Sequence, residues 1–176
     1  NQLAKYLVYK GKNEIKNGDL HNAELLFNKA IKKVPEFGLP YKYLGDLKMI
    51  NRDLINAIKL WEKFIELSPG KSYLVFDDME AALFDLGRYS EVEKFYRRII
   101  DVNKNDLEAG IKLANVLNEK GEENSAIELI DKLINNGNNE ISVLLMKLKL
   151  SLSIKTPIEL AHQIDEIIKK IDNNEN

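Results

Sequence analysis

"GDLHNAELLFNKAIKKVP" (residues 18–35) and "RDLINAIKLWEKFIELSP" (52–69) are two spellings of one segment. Subtracting 34 from the second sets Asp53 on Asp19, Leu54 on Leu20, Asn56 on Asn22 and Ala57 on Ala23. The same shift sets Trp61 on Phe27, Lys63 on Lys29 and Pro69 on Pro35, and upstream Gly45 falls on Gly11. So many matches in one register make an internal repeat, and a period of 34 residues is that of stacked helix pairs.

The period runs on with one slip. "GRYSEVEKFYRRIIDV" (87–102) repeats the pattern after one inserted residue, and "GEENSAIELIDKLINN" (121–136) follows 34 later. A further step reaches "KTPIELAHQIDEIIKK" (155–170), with Leu160 and Ile164 in the apolar places. The chain therefore divides into five repeats, 4–37, 38–71, 73–106, 107–140 and 141–172, in one array over 1–172 with a frayed tail at 173–176.

Local chemistry points to helices throughout. Leu26, Phe27, Ala30 and Ile31 make one apolar stripe, and Leu160, Ile164, Ile167, Ile168 and Ile171 make another at helical spacing. Ser90 with Glu93 reads as a capping box. Thr156, Pro157 and Glu159 read as N-cap, first-turn proline and third-position acid. Gly18, Gly87 and Gly121 mark turns inside helix pairs. Pro35 and Pro69 stand just past helix ends. "ISVLLMKLKLSLSI" (141–154) alternates like a strand, but its place in the period makes it a helix. Gly11, Gly45, Ala23, Ala57 and Ala126 permit close helix crossings, and Phe27, Trp61 and Tyr96 wedge between neighbouring repeats. The charged side of the last helix (Glu159, His162, Asp165, Lys169, Lys170) would cap the array.

These residues resemble the tetratricopeptide repeat family, with its small residue at position 8 of 34, Ala at 20, an aromatic at 24, a small residue at 27 and Pro at 32. Gly11, Ala23, Phe27, Ala30 and Pro35 fit in repeat 1; Gly45, Ala57, Trp61 and Pro69 fit in repeat 2, where Phe64 replaces the small residue. Repeat 3 departs most, with Glu80, Val92 and Lys104, and repeat 4 keeps Ala114 and Ala126. The resemblance implies an all-α, right-handed α-solenoid of about five helix pairs. It specifies fold far better than function, because the family hosts many binding roles. The segment 57–100, with its A-I-x-x-W helix, S-Y-L-V run and L-G-R-Y turn, is also similar to the repeat region of bacterial lipopolysaccharide assembly protein B. That likeness implies a cytoplasmic adaptor region of a membrane-tethered regulator. The tether would lie outside this stretch, which opens in helical pattern without an initiator Met and reads as an excised fragment.

In the family, the first helix of each repeat lines a concave groove. The resemblance then places Lys5, Tyr9 and Lys12 in the groove from repeat 1, and Lys42, Tyr43, Asp46 and Met49 from repeat 2. Repeat 3 gives Leu74, Asp77, Asp78 and Phe84, and repeat 4 gives Asn115. The groove is basic and aromatic at one end, acidic in the middle and amide-rich at the other. It suits an extended peptide or helix with opposite charges at its ends; charge would orient the partner and aromatic anchors would hold it. The family's terminal-carboxylate clamp is not matched, since Val8, Lys12, Tyr43, Leu74 and Asp78 occupy its positions.

Composition and motifs narrow the rest. A net charge of −2 and a pI near 5.8 argue against nucleic acid as partner. No cysteine is present, which excludes disulfides, thiolate zinc sites and cysteine nucleophiles. No apolar run approaches the ~18 residues of a membrane span, so direct membrane insertion is not expected. No nucleotide-binding or metalloprotease motif occurs, and "FDDMEAALFD" reads as a solvated helix face. His21 and His162 read as surface residues, and the arginines of "FYRRII" as partners of Glu91 and Asp101. No enzyme activity, catalytic residue, metal or cofactor is expected. The partner is a protein or peptide held in the groove, and the alternative is a structural module that self-associates into a homo-oligomer through its outer surfaces.

Overall fold

The computed structural model describes residues 2–137, 140–152 and 154–174. They form ten α-helices and one 3-10 helix, with no strand among the described residues. In order these are α1 (Gln2–Lys16), α2 (Leu20–Lys33), α3 (Gly38–Ile50), α4 (Leu54–Leu67), the 3-10 helix (Pro69–Val75) and α5 (Phe76–Asp85). Then follow α6 (Tyr89–Val102), α7 (Leu107–Glu119), α8 (Glu123–Asn135), α9 (Ile141–Ser151) and α10 (Pro157–Asn174). The strand-like stretch at 141–154 is thus helical over Ile141–Ser151. The chain forms two compact units, Asn1–Glu91 and Val92–Asn176. In the first, α1 packs on α2, α2 on α3, and α3 on α4; in the second, α7 packs on α8, α8 on α9, and α9 on α10.

The crossings depend on missing side chains. A Cβ on Gly11 would stand 2.5 Å from the Phe27 ring, and one on Gly45 would stand 2.4 Å from the Trp61 indole. Phe27 and Trp61 are fully buried. Each therefore packs first against the glycine of its own hairpin, while Phe27 also reaches the next repeat by stacking on Tyr43, ring centroids 5.3 Å apart. Phe64, the large residue at a small position, is fully buried beside Gly38, where a Cβ would lie 2.4 Å from Ser68 Oγ and 3.3 Å from the Phe64 ring.

The hairpin turns share one device. Gly18, Gly87 and Gly121 all take positive φ (82°, 69° and 78°), and at the equivalent place in repeat 2 Arg52 does so at 61°. Each turn closes with paired bonds, such as Gly18 N–H to Ile15 O at 3.0 Å and Asp19 N–H to Glu14 O at 2.9 Å. That pattern satisfies the last carbonyls of the preceding helix.

Helix starts follow in part. The Asp19 carboxylate accepts from Asn22 N–H at 2.9 Å, and Asp106 accepts from Ala109 N–H at 3.1 Å. At α10 the capping box is complete: Thr156 N–H and its hydroxyl both donate to Glu159 Oε2, at 2.9 and 2.7 Å. These bonds hold the Glu159 carboxyl below its ordinary pKa. The box expected at Ser90 and Glu93 does not form. α6 begins at Tyr89, so Ser90 is already helical, and Glu93 turns to Arg97 (2.7 Å) and Lys120 (2.6 Å). Arg97 therefore pairs with Glu93 and not with Glu91, which Arg88 holds instead.

Two further expectations are corrected. The inserted residue between repeats 2 and 3 is absorbed by the 3-10 helix, which proline starts and which stands ahead of α5. The charged residues expected on the outer side of the last helix, Glu159, His162, Asp165 and Lys169, are exposed, but apolar residues of the same helix are exposed as well. Of its apolar stripe only Ile167 is buried, while Ile164 and Ile168 are 42% and 48% exposed. The tail expected over 173–176 falls mostly outside the described residues, and the helix itself extends to Asn174.

Candidate functional site

In the first unit α1 and α3 lie side by side, which gathers four of the sequence-predicted residues. Lys12 Nζ stands 5.5 Å from the centre of the Tyr43 ring, and Lys42 Nζ 5.3 Å from it. Phe27 stacks on the same ring. Tyr43 is thus fixed from behind and flanked by two ammonium groups, a cation–π arrangement that leaves positive charge around an aromatic surface. One turn further along α3, Asp46 accepts from Lys42 at 2.7 Å and from the Trp61 indole N–H at 3.1 Å. Burial pushes the Asp46 carboxyl above its ordinary pKa; the bonds from Lys42 and Trp61 pull the other way, and the charge of Asp78 adds to the rise. The interaction with Asp78, which sits in the first turn of α5, links α5 electrostatically to α3.

The remaining predicted residues separate into groups. Lys5 and Tyr9 are exposed on α1, Tyr9 to 63%. Met49 is half-buried on α3. Asp77 and Asp78 are exposed in the first turn of α5. Phe84 is exposed at its far end, its ring centroid 5.5 Å from that of Tyr89. Leu74 departs from expectation: it lies on the 3-10 helix and not on a first helix of a repeat, because the extra residue delays the start of α5. Asn115 belongs to the second unit. Its side-chain oxygen accepts from Lys149 on α9 at 3.0 Å.

Lys149 was missed by sequence reasoning, although it sits one period after Asn115 at the same groove position. Arg52 was missed as well: from its turn it reaches Asp85 at 3.0 Å, so one acid of the "FDDMEAALFD" face is already engaged. Glu93, half-buried between Lys120 and Arg97, is held below its ordinary pKa by Lys120 first and Arg97 second. Its surroundings make it a structural ion-pair hub.

His21 and His162 are exposed on separate helices. Among the described residues no group of three or more His, Asp or Glu side chains is placed to hold a metal ion. No helix among them is long and apolar enough to cross a membrane.

No family model matches the chain. Solved structures do. A crystal structure of MamA matches with 20% identity over 97% of this chain and 93% of that one, TM-score 0.64. MamA residues 41 to the end, from Desulfovibrio magneticus RS-1, match with 13% identity over 100% and 99%, TM-score 0.64. YrrB, described as a tetratricopeptide repeat protein with an unusual peptide-binding site, matches with 14% identity over 93% and 84%, TM-score 0.57. At these identities the likeness establishes fold. The chain has the all-α, helix-hairpin fold of tetratricopeptide repeat proteins.

Proposed function

We propose that this chain is a protein-interaction scaffold that holds a peptide or a helix of a partner protein along α1, α3 and α5. The observation that carries the reading is the Tyr43 seat: an aromatic ring fixed by Phe27, flanked by Lys12 and Lys42, and followed along the same face by Asp46, Asp77 and Asp78. Lys5, Tyr9, Met49 and Phe84 extend it with charge and apolar surface. Positive and negative charge in sequence along one face orient a ligand of opposite polarity, and exposed aromatics supply contact area. That YrrB is described by its peptide-binding site accords with this use of the fold. Asn115 and Lys149 offer a separate polar surface in the second unit. The narrower role of a cytoplasmic adaptor in lipopolysaccharide regulation rests on the resemblance of 57–100 alone.

Panning a random peptide display library against the full chain tests the proposal. Enriched sequences should join an acidic block to a basic one around an aromatic or aliphatic residue. A Tyr43→Ala, Asp78→Ala double variant should retain its helix content by circular dichroism and lose capture of those peptides by 10-fold or more, the loss of ~1.4 kcal/mol expected for one aromatic anchor. Undiminished capture by a folded double variant would overturn the groove.

A further inference from the structure

The face of α8 that receives α9 has a counterpart on α10. In α8, Ile127, Asp131 and Ile134 are half-buried where α9 packs, and Lys147 of α9 reaches Asp131 at 2.6 Å. One period of 34 later, the same places on α10 hold Ala161, Asp165 and Ile168, and all three are exposed. The register also says what would sit opposite them. Lys147 is the seventh residue of its repeat, and the seventh of the first repeat is Lys10 on α1, which is exposed. Leu144, which lies with Ile134 and Lys147 around a hollow of about 370 Å³, maps in the same way to Leu7.

Charge agrees with that match. α1 carries Lys5, Lys10, Lys12 and Lys16 against a single Glu14. α10 carries Glu159, Asp165, Glu166 and Asp172 against Lys169 and Lys170. Exposed Tyr6 on α1 and exposed Ile164 on α10 add apolar area on each side.

We propose that α10 is a docking surface for α1 of a second copy of this chain, seated as α9 is seated on α8. Lys10 of one copy pairs with Asp165 of the other, and Leu7 meets Ile168. At the α2–α3 contact the ion pair runs instead through Glu24 and Lys48 at 2.8 Å. Their counterparts at the proposed seam are Ala161 and Glu14, which cannot pair, so Lys10–Asp165 is the pair that sets the register. The two faces differ, so the contact is heterologous and symmetry does not stop it at a dimer. Its pairs, Lys10 with Asp165 and Leu7 with Ile168, lie outside the residues assigned to the peptide groove, although α1 carries both sets.

Sedimentation velocity on the full chain across a concentration series reads it directly. The mean mass should rise above the 20.2 kDa of one chain with concentration. Asp165→Lys and Lys10→Glu should each weaken association about 10-fold, and the double variant should restore it. Ile168→Glu should abolish it at unchanged helix content. The Tyr43→Ala, Asp78→Ala variant should associate as the parent does, which separates this contact from the groove. A chain that stays at monomer mass throughout would overturn the proposal, as when a flanking segment of its own chain or another protein covers α10. So would a double charge variant that associates no better than the single ones.

Discussion

Repeats 1 and 2 solve the same 34-residue problem with different residues. In repeat 1 a phenyl ring fills the crossing and a glycine makes the turn; in repeat 2 an indole fills it and an arginine makes the turn. The glycine at the crossing is common to both, as Gly11 and Gly45. The difference shows which positions the geometry dictates. Space at the crossing is absolute, because the ring opposite lies within 2.5 Å of where a Cβ would stand in both repeats. The turn only requires positive φ, which an ordinary residue adopts at a cost. The position three residues after each Tyr is free: Lys12 occupies it on α1 and Asp46 on α3, one period apart, and this exchange sets opposite charges at matching places on the two helices.

Filling a crossing should do the most damage. Gly45→Ala gains helix propensity of about 1 kcal/mol but forces the Trp61 ring to move, an overpacking cost of roughly 1–3 kcal/mol or more. A net loss of about 2 kcal/mol is expected by urea unfolding. Gly11→Ala should cost less, because Phe27 has no hydrogen bond like that from Trp61 to Asp46 to hold it in place. Equal or opposite effects would mean that the rings, and not the glycines, set the helix separation.

The same contrast explains what was legible in the sequence. Hairpin order, turns and crossings could be read because each depends on a residue with few substitutes, such as Gly11, Gly18 or Ala23. The start of α6 could not, because Ser90 and Glu93 satisfy a capping pattern whose geometry exists only if the helix begins two residues later, at Glu91. The open face of α10 was hidden too. Its isoleucine stripe spells burial, yet burial requires a helix on the other side, and hydrophobic period alone does not reveal whether one is there. The helices that carry Lys12, Lys42 and Tyr43 followed from the repeat register, but the flanking of Tyr43 by two lysines depends on how α1 meets α3. Leu74 was misplaced because a single inserted residue became a 3-10 turn.

A smaller effect is expected at the turns. Arg52 adopts φ of 61° where repeats 1, 3 and 4 use glycine. Arg52→Gly should relieve about 1 kcal/mol of strain. Against that stand a more flexible unfolded chain and the exposed pair with Asp85, worth about 0–1 kcal/mol. A small net gain in thermal unfolding, at most about 0.5 kcal/mol, is expected. The reverse change, Gly18→Ala, should lose about 1 kcal/mol, and all of it through φ, since a Cβ there meets nothing within 4 Å. If Arg52→Gly destabilises the chain, the ion pair outweighs the backbone.

The smallest effect concerns the exchanged position itself, because opposing influences meet at Asp46. Burial raises its carboxyl above the ordinary value of 3.8, against the bonds from Lys42 and Trp61. A group whose pKa is raised on folding binds its proton more tightly in the native state. Its contribution to stability is therefore fully present below pH 3.8 and is lost as pH rises through the folded value. Asp46→Asn cannot titrate and so does not lose that contribution. Relative to the parent, the variant should gain stability as pH climbs from below 3.8 toward neutrality, as read from urea midpoints at successive pH values. A difference that shrinks over the same range would mean that the bonds from Lys42 and Trp61 outweigh burial. The acid of repeat 2 would then be as comfortable on α3 as the lysine of repeat 1 is on α1, and the exchange would come at no electrostatic cost to the fold.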